Sequence, residues 1–280
     1  MMIIRYRDHH GIAIGVSDGP SVFPLTGDMA SLLRLSRSEL RSRLDHQRRT
    51  VEPIDRESVT LLAPIDRLTE VWAAGVTYKA SKSARMEESD LSADVYERVY
   101  EAERPELFFK SVAWRVVGDG ADIRARSDSS VDVPEAELAL VINSHREVIG
   151  YSVCNDMSSR SIEGDNPLYL PQAKIYQGSC AIGPGITPFW EIDRPDDLTI
   201  GLSIRRDGAL AWDGATSTSQ LHRRLDELVD WLHRELDFPD GVWLSTGTSL
   251  VPALPFTLTN GDVVEIAIES VGTLTNTVCR

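Results

Sequence analysis

The stretch VPEAELALVI, followed after one turn by IGYSVCND, carries charge where a buried hairpin has little room for it. It places Glu135 and Glu137 two residues apart on a predicted strand, and Asp156 at the far end of the next. Side chains alternate faces along a strand, so the two glutamates point the same way. A hairpin through Asn143, Ser144, His145 and Arg146 returns Asp156 to that face. Three carboxylates inside an apolar sheet repel one another and are costly to desolvate. A hard divalent cation among them removes both penalties. An all-oxygen set implies Mg2+, Mn2+ or Ca2+, because Zn2+ sites usually recruit His or Cys. His9, His10, His46, His145, His222 and His233 form no metal-ligand spacing, and His145 falls in the hairpin turn itself. The competing reading is a polar edge with solvated glutamates, and these residues alone leave both open.

The chain has 280 residues, 42% of them hydrophobic, enough for one large domain or one large and one small. A net charge of −14 repels nucleic acid and anionic membrane, so neither is an expected partner. It does not repel a small anion held by a local metal. No apolar run approaches the length of a bilayer span. The opening MMIIRYRDHHGIAIGV alternates and reads as a hairpin turning at His9, His10 and Gly11. It has no continuous apolar segment or small-residue cleavage site, so it does not read as a signal peptide. Cys154, Cys180 and Cys279 form an odd, sparse set that argues against a disulfide framework and fits a reducing, cytoplasmic setting.

The pattern changes along the chain without repeats. Residues 1–25 read as short strands. Residues 28–49 carry Leu32, Leu33, Leu35, Leu40 and Leu44 in a helical rhythm, and 51–64 as a connection. The expected division is a small N-terminal α/β domain over 1–64 and a catalytic domain over 65–280. From Val71 the segments VWAAGV, ELFFKSV, ELALVI, VIGYSV, CAIGPGI, LTIGLSI and VVEIAIE predict a β-rich sandwich or roll, hence an α+β class overall. Two helices interrupt it, a polar one over 84–104 and one over 218–236. In the second, Leu221, Leu225, Leu228, Leu232 and Leu236 line one face, and Ser217, Thr218 or Ser219 caps the start.

Three further places carry chemistry. Lys174, in NPLYLPQAKIYQGSCAIGPGI, is either a lysine that snorkels to the surface or one beside the cation with a depressed pKa that moves a proton. Glu106, ahead of Leu107, Phe108 and Phe109, is either kept partly protonated by apolar neighbours or salt-bridged at the start of a strand. STGTSLVP offers Gly247, Thr248 and Ser249 beside exposed backbone N–H groups, which hold a carboxylate or form an ordinary turn.

PEAELALVI…GYSVCND, then a lysine loop and a Gly-Pro strand, resembles the fumarylacetoacetate hydrolase superfamily. TGTSLVP and LTNGDVVEIAIESVGTLTN are similar to its closing segments, so the resemblance covers roughly residues 68–280. GVTYKASKSARMEES, VYEAERPELFFK, RSDSSVDVPEAELA and GDNPLYLPQAKIYQGSCAIGP bring it closest to the dehydratases of 2-keto-3-deoxy sugar acids. The resemblance implies a mixed β-sandwich roll with a small N-terminal domain, and a Mg2+ site (Mn2+ as the substitute) from Glu135, Glu137 and Asp156. It implies Lys174 and Glu106 as the catalytic pair, and Thr248, Gly247, Tyr78 and Phe109 as substrate contacts. A homodimer or homotetramer is expected.

One departure separates the branches of the family. Hydrolytic members carry a histidine three residues after a tyrosine, paired with a glutamate, to activate water. Here Tyr78 is present, but Ser81 and Ala84 stand at those positions, and no histidine lies from Gly11 to Asp45 or from Arg48 to Ser144. Glu87 or Glu88 could replace the pair. The expected reaction is dehydration of a 2-keto-3-deoxy sugar acid to 2,5-dioxopentanoate, with neutral Lys174 as base and protonated Glu106 assisting loss of water. The rivals are an acylpyruvate or fumarylacetoacetate-type C–C hydrolase and a non-catalytic binder of 2-oxo acids. The polar TYKASKSARMEESD segment reads either as a lid or as a surface helix.

Overall fold

The computed structural model describes residues 1–78 and 93–280. Ser81, Ala84, Glu87, Glu88 and most of the proposed lid lie outside the described residues.

The chain opens with a meander of β1 (Met2–Asp8), β2 (Gly11–Asp18) and β3 (Ser21–Leu25). The helical stretch expected over 28–49 is two helices, α1 (Met29–Leu33) and α2 (Arg37–Thr50). The break comes from two capping boxes. Asp28 accepts from Ser31 N–H, and Ser36 accepts from Glu39 N–H, so each start satisfies its own orphan donors. After β4 (Ile54–Asp55) and β5 (Thr60–Leu62), β6 (Glu70–Gly75) enters the sheet that carries the site. The next described element is the helix α3 (Ala93–Glu101), which leads to β7 (Glu106–Val112) and β8 (Asp122–Arg124). Next come β9 (Asp132–Val133), β10 (Ala136–Ile142), β11 (Val148–Asp156), β12 (Ser158–Ser159), α4 (Arg160–Asp165), α5 (Leu170–Lys174) and β13 (Cys180–Pro188). The C-terminal part is β14 (Thr199–Arg206), β15 (Ala209–Ser217), α6 (Leu225–Leu232), β16 (Val242–Ser245), β17 (Val263–Ile268) and β18 (Gly272–Cys279).

Two large sheets hold all of these strands but β9 and β12, which pair with each other. An eleven-stranded sheet runs β4-β3-β2-β1-β13-β11-β10-β16-β6-β7, with β5 paired to β1 off that path. β1 meets β13 at Ile3 and Ile186, so the N-terminal meander continues the sheet that holds β10 and β11. A five-stranded sheet runs β15-β14-β17-β18-β8. One face of the large sheet, through Leu138, Leu140 and Val153, packs on Ile200, Leu202, Val264, Ile266 and Leu274 of the small one. Its other face, through Ala139, Val141 and Cys154, packs under Leu32, Leu33, Leu40 and Leu44 of α1 and α2. Every residue of β10 is therefore buried, which explains why ELALVI reads as a continuous apolar run.

The helix expected over 218–236 is shorter. A 3-10 turn at Thr218–Gln220, capped by Ser217, gives way to extended chain before α6. Leu221 forms a bridge with Tyr78, and His222 N–H donates to Thr77 O at 2.9 Å. Tertiary pairing overrides the leucine periodicity there. Leu228 and Leu232 are buried, whereas Leu236 is 39% exposed beyond the helix end. Strands β8, β9, β12, β15, β16 and β18 are additions to those foreseen, as are β4 and β5 within the expected connection over 51–64. Among the described residues no helix is long and apolar enough to cross a membrane.

Candidate active site

The acidic face forms as strand alternation requires. Glu137 lies opposite Cys154 in the β10–β11 ladder, and Asp156 N–H donates to Glu135 O at 3.0 Å, so all three carboxylates share one face. Glu135 stands just before β10 rather than within it. One oxygen from each of Glu135, Glu137 and Asp156 lies within 4.8 Å of the other two, and all three residues are buried. One hard cation with bonds of about 2.0–2.6 Å can reach such a set.

The surroundings tie each carboxylate. Ser245 Oγ, at 2.5 Å, and Gly247 N–H, at 2.8 Å, both donate to Glu137 Oε2. Gly247 is required here: it has φ +90°, and a Cβ would collide with Thr77 Oγ1. Burial, then the neighbouring Asp156 and Glu135 charges, hold the Glu137 carboxyl well above the usual carboxylate range. A bound cation reverses that balance.

Lys174 sits at the end of α5, fully buried, with Nζ on Glu135 Oε2 at 2.8 Å, Asp156 Oδ2 at 3.1 Å and Ser158 Oγ at 2.6 Å. The surface-snorkelling alternative is excluded by its 1% exposure. Glu106 lies at the start of β7, paired with Gly75 in register. Gly75 leaves the space for it, since a Cβ there would run into the Glu106 carboxylate. We therefore expect Gly75→Ala to keep the fold, because its backbone is ordinary extended chain, yet to lower kcat roughly 100-fold by displacing that carboxylate. Steady-state rates beside a thermal melt check this; an unchanged kcat would detach Glu106 from the reaction.

The cleft is lined by Gly75, Glu106, Phe108, Glu135, Glu137, Asp156, Arg160, Glu163, Leu170, Lys174, Gly247 and Thr248, among others. Two expected contacts stand elsewhere. Phe109 projects to the other face of β7 and packs edge-on against Trp72, with centroids 5.9 Å apart. Phe108 takes the wall, its ring centroid 5.7 Å from Lys174 Nζ. The parity of β7 decides this, since Glu106, Phe108 and Lys110 alternate onto the site face. Tyr78 is buried behind the cleft rather than in its lining. Burial, with the Glu137 carboxylate next, pushes its phenol up. Thr248 lines the cleft, and its Oγ1 accepts from Leu250 N–H at 3.0 Å.

Sequence reasoning missed five residues. Lys110 is fully buried and ion-paired to Asp156. Ser158 and Ser245 hold Lys174 and Glu137. Arg160, with Nη2 3.6 Å from Glu135 Oε1, and Glu163 follow Asp156 by four and seven residues. A charged residue ending the apolar run ELFFK was the available signal for Lys110. Lys110 and Lys174 ion-pair with Asp156, and Arg160 and Lys174 with Glu135, so positive side chains flank two of the three clustered carboxylates.

Known proteins resemble this chain in sequence and in fold. Residues 70–279 match the family model "Fumarylacetoacetate (FAA) hydrolase C-terminal". A probable 2-keto-3-deoxyxylonate dehydratase of Haloferax volcanii is 46% identical over 252 residues, covering 89% of this chain and 85% of that protein. The 2-dehydro-3-deoxy-D-arabinonate dehydratase of Saccharolobus solfataricus is 42% identical over 219 residues, 77% of this chain and 73% of that protein. A solved structure of a 2-keto-3-deoxy-D-arabinonate dehydratase, complexed with magnesium and 2,5-dioxopentanoate, superposes with a TM-score of 0.85 at 34% identity. It covers 99% of this chain and 98% of its own. With the family model matching three quarters of its length and relatives at 42–46% identity, the chain belongs to the fumarylacetoacetate hydrolase family.

Proposed function

We propose that this protein is a Mg2+-dependent dehydratase that converts 2-dehydro-3-deoxy-D-arabinonate to 2,5-dioxopentanoate. The observation that carries the reading is Lys174 Nζ seated on Glu135 and Asp156, in the cleft that Glu106 also lines. The names of the relatives support the substrate class. Their two pentonates do not conflict, because a 2-keto-3-deoxy acid has lost the C2 and C3 stereocentres that separate D-arabinonate from D-xylonate. Histidine supports no rival: none lines the cleft among the described residues, and 79–92 contain none in sequence.

Glu135, Glu137 and Asp156 would hold the cation, which supplies Lewis acidity to the 2-oxo acid end of the substrate. Thr248 lines the same end of the cleft as Glu137 and orients the substrate carboxylate, while Gly247 spends its N–H on Glu137 Oε2 and so fixes that end of the cleft. Lys174 Nζ takes a proton from C3. The C4–O bond breaks, and Glu106 gives its proton to the departing hydroxyl, which leaves as water. A proton then moves from C5 to C3 through the same groups, and the resulting enol becomes the terminal aldehyde. Phe108 and Leu170 keep bulk water from these transfers.

The test is a panel of 2-keto-3-deoxy acids and acylpyruvates incubated with protein and Mg2+. Semialdehyde from the five-carbon acid is expected. Pyruvate plus an acid from acylpyruvates would instead establish a C–C hydrolase, and no turnover of either would leave a binding protein.

A further inference from the structure

We propose that Lys110 is a positioning residue that sets the distance between the cation seat and the proton-transferring lysine. The inference rests on the reading of Glu135, Glu137 and Asp156 as cation ligands and Lys174 as the base. Lys110 is 0% exposed at the inner end of the β7 face that also carries Glu106 and Phe108. Its Nζ donates to Lys174 O at 2.6 Å and to Met157 O at 3.0 Å, and its charge is ion-paired with Asp156 Oδ1. Two of its three N–H donors are taken by main-chain carbonyls and its charge is paired with Asp156, so Lys110 is committed to the protein interior. That separates Lys110 from Lys174, whose Nζ meets side chains of the cleft itself.

Two consequences follow. First, the two lysines divide Asp156 between them: Lys110 holds Oδ1 and Lys174 approaches Oδ2. Only Oδ2 is then turned toward the cleft, which presents Asp156 as a one-oxygen ligand. Second, the Lys174 main chain is clamped. Its carbonyl accepts from Lys110 Nζ and from Ser179 Oγ at 2.9 Å. The helix that ends there is only five residues long, so it has little stiffness of its own. One ammonium therefore connects a ligand on β11, the turn after it and the backbone of the base. Arginine would not substitute, because its planar fork of five donors does not match three partners converging on a point.

Lys110→Met keeps the volume and removes both hydrogen bonds and the ion pair. Lys174 is then the one ammonium left at Asp156 among the described residues; it pairs more closely and opposes the cation. A fixed charge that acted only through its field would do the reverse, since removing it tightens Mg2+ binding.

The experiment is calorimetric titration of wild type and Lys110→Met with Mg2+ alone. The stoichiometry counts the folded molecules, and the Kd describes their site. We expect Kd to weaken at least fivefold, with kcat at saturating Mg2+ falling about 100-fold. A Kd weakened less than fivefold, or tightened, overturns the proposal; a merely structural lysine lowers the melting temperature and leaves that Kd in place. If the variant does not fold, a crystal structure of Mg2+-loaded wild type decides. Nζ must remain on Asp156 Oδ1 and Lys174 O, and its departure from either overturns the proposal. Wild type that binds no Mg2+ would sink the metal reading instead. Wild type that binds Mg2+ but dehydrates nothing would sink the dehydratase reading and leave the titration valid.

Discussion

Lys174→Met is expected to abolish turnover while the protein still binds Mg2+. A positioned acid or base contributes roughly two to four orders of magnitude to rate. Lys174 is asked to move protons at more than one step, so the upper end of that range applies. Methionine fills nearly the same buried volume, so the lining of the cleft should survive. The metal side gives the sharper signature. In wild type the ammonium lies on Glu135 and Asp156 at 2.8 Å and 3.1 Å, where it neutralises them in the absence of a cation. Without it, two buried carboxylates lose a partner, and the metal-free variant should melt lower. Mg2+ should then raise its melting temperature more than it raises that of wild type. Thermal melts with and without Mg2+, beside a semialdehyde assay, read both effects. Near-normal turnover would remove Lys174 from the chemistry.

Glu137→Gln should separate stability from function in the opposite direction. The Glu137 carboxyl is held well above the usual range by burial and by its acidic neighbours, so the metal-free site is strained by charge. An amide relieves that repulsion, and the metal-free variant should melt no lower than wild type. The cost appears on loading. Ser245 Oγ and Gly247 N–H both donate to Oε2, so they select the amide oxygen there and turn the NH2 toward the cation. A ligand that loses its charge and presents donors should weaken Mg2+ roughly 100-fold or more, beyond the 10–100-fold typical of an outer-shell partner. Activity should fall with it and recover in part at high Mg2+. An unchanged Mg2+ affinity would take Glu137 out of the ligand set.

Particular elements show how much was legible. The acidic hairpin was, because alternation and a tight turn are local properties of the chain, and the β10–β11 register places Asp156 beside Glu135 as they require. The burial of Lys174 was legible only as one of two alternatives. What holds it arrives from 39 and 16 positions away, through Glu135 and Ser158. The choice between Phe108 and Phe109 was not legible, since two adjacent phenylalanines, both half-buried on an edge strand, carry no sign of which face holds the site. The leucine rhythm over 218–236 overstated a helix, because Leu221 and His222 pair instead with the Thr77–Tyr78 backbone. Lys110 looked like an ordinary end to an apolar strand. Its three partners belong to residues 46 to 64 positions later in the chain.

The sequence by itself determined the chemistry on offer: three carboxylates and a lysine in an apolar setting, and no histidine near them to activate water. The tertiary structure alone decided which oxygen each carboxylate turns to the cleft, which phenylalanine walls it, and that a second lysine braces the first. The reason is physical. Residue type and alternation travel with the local chain, whereas burying a charge is tolerable only once packing has brought its partners from distant strands.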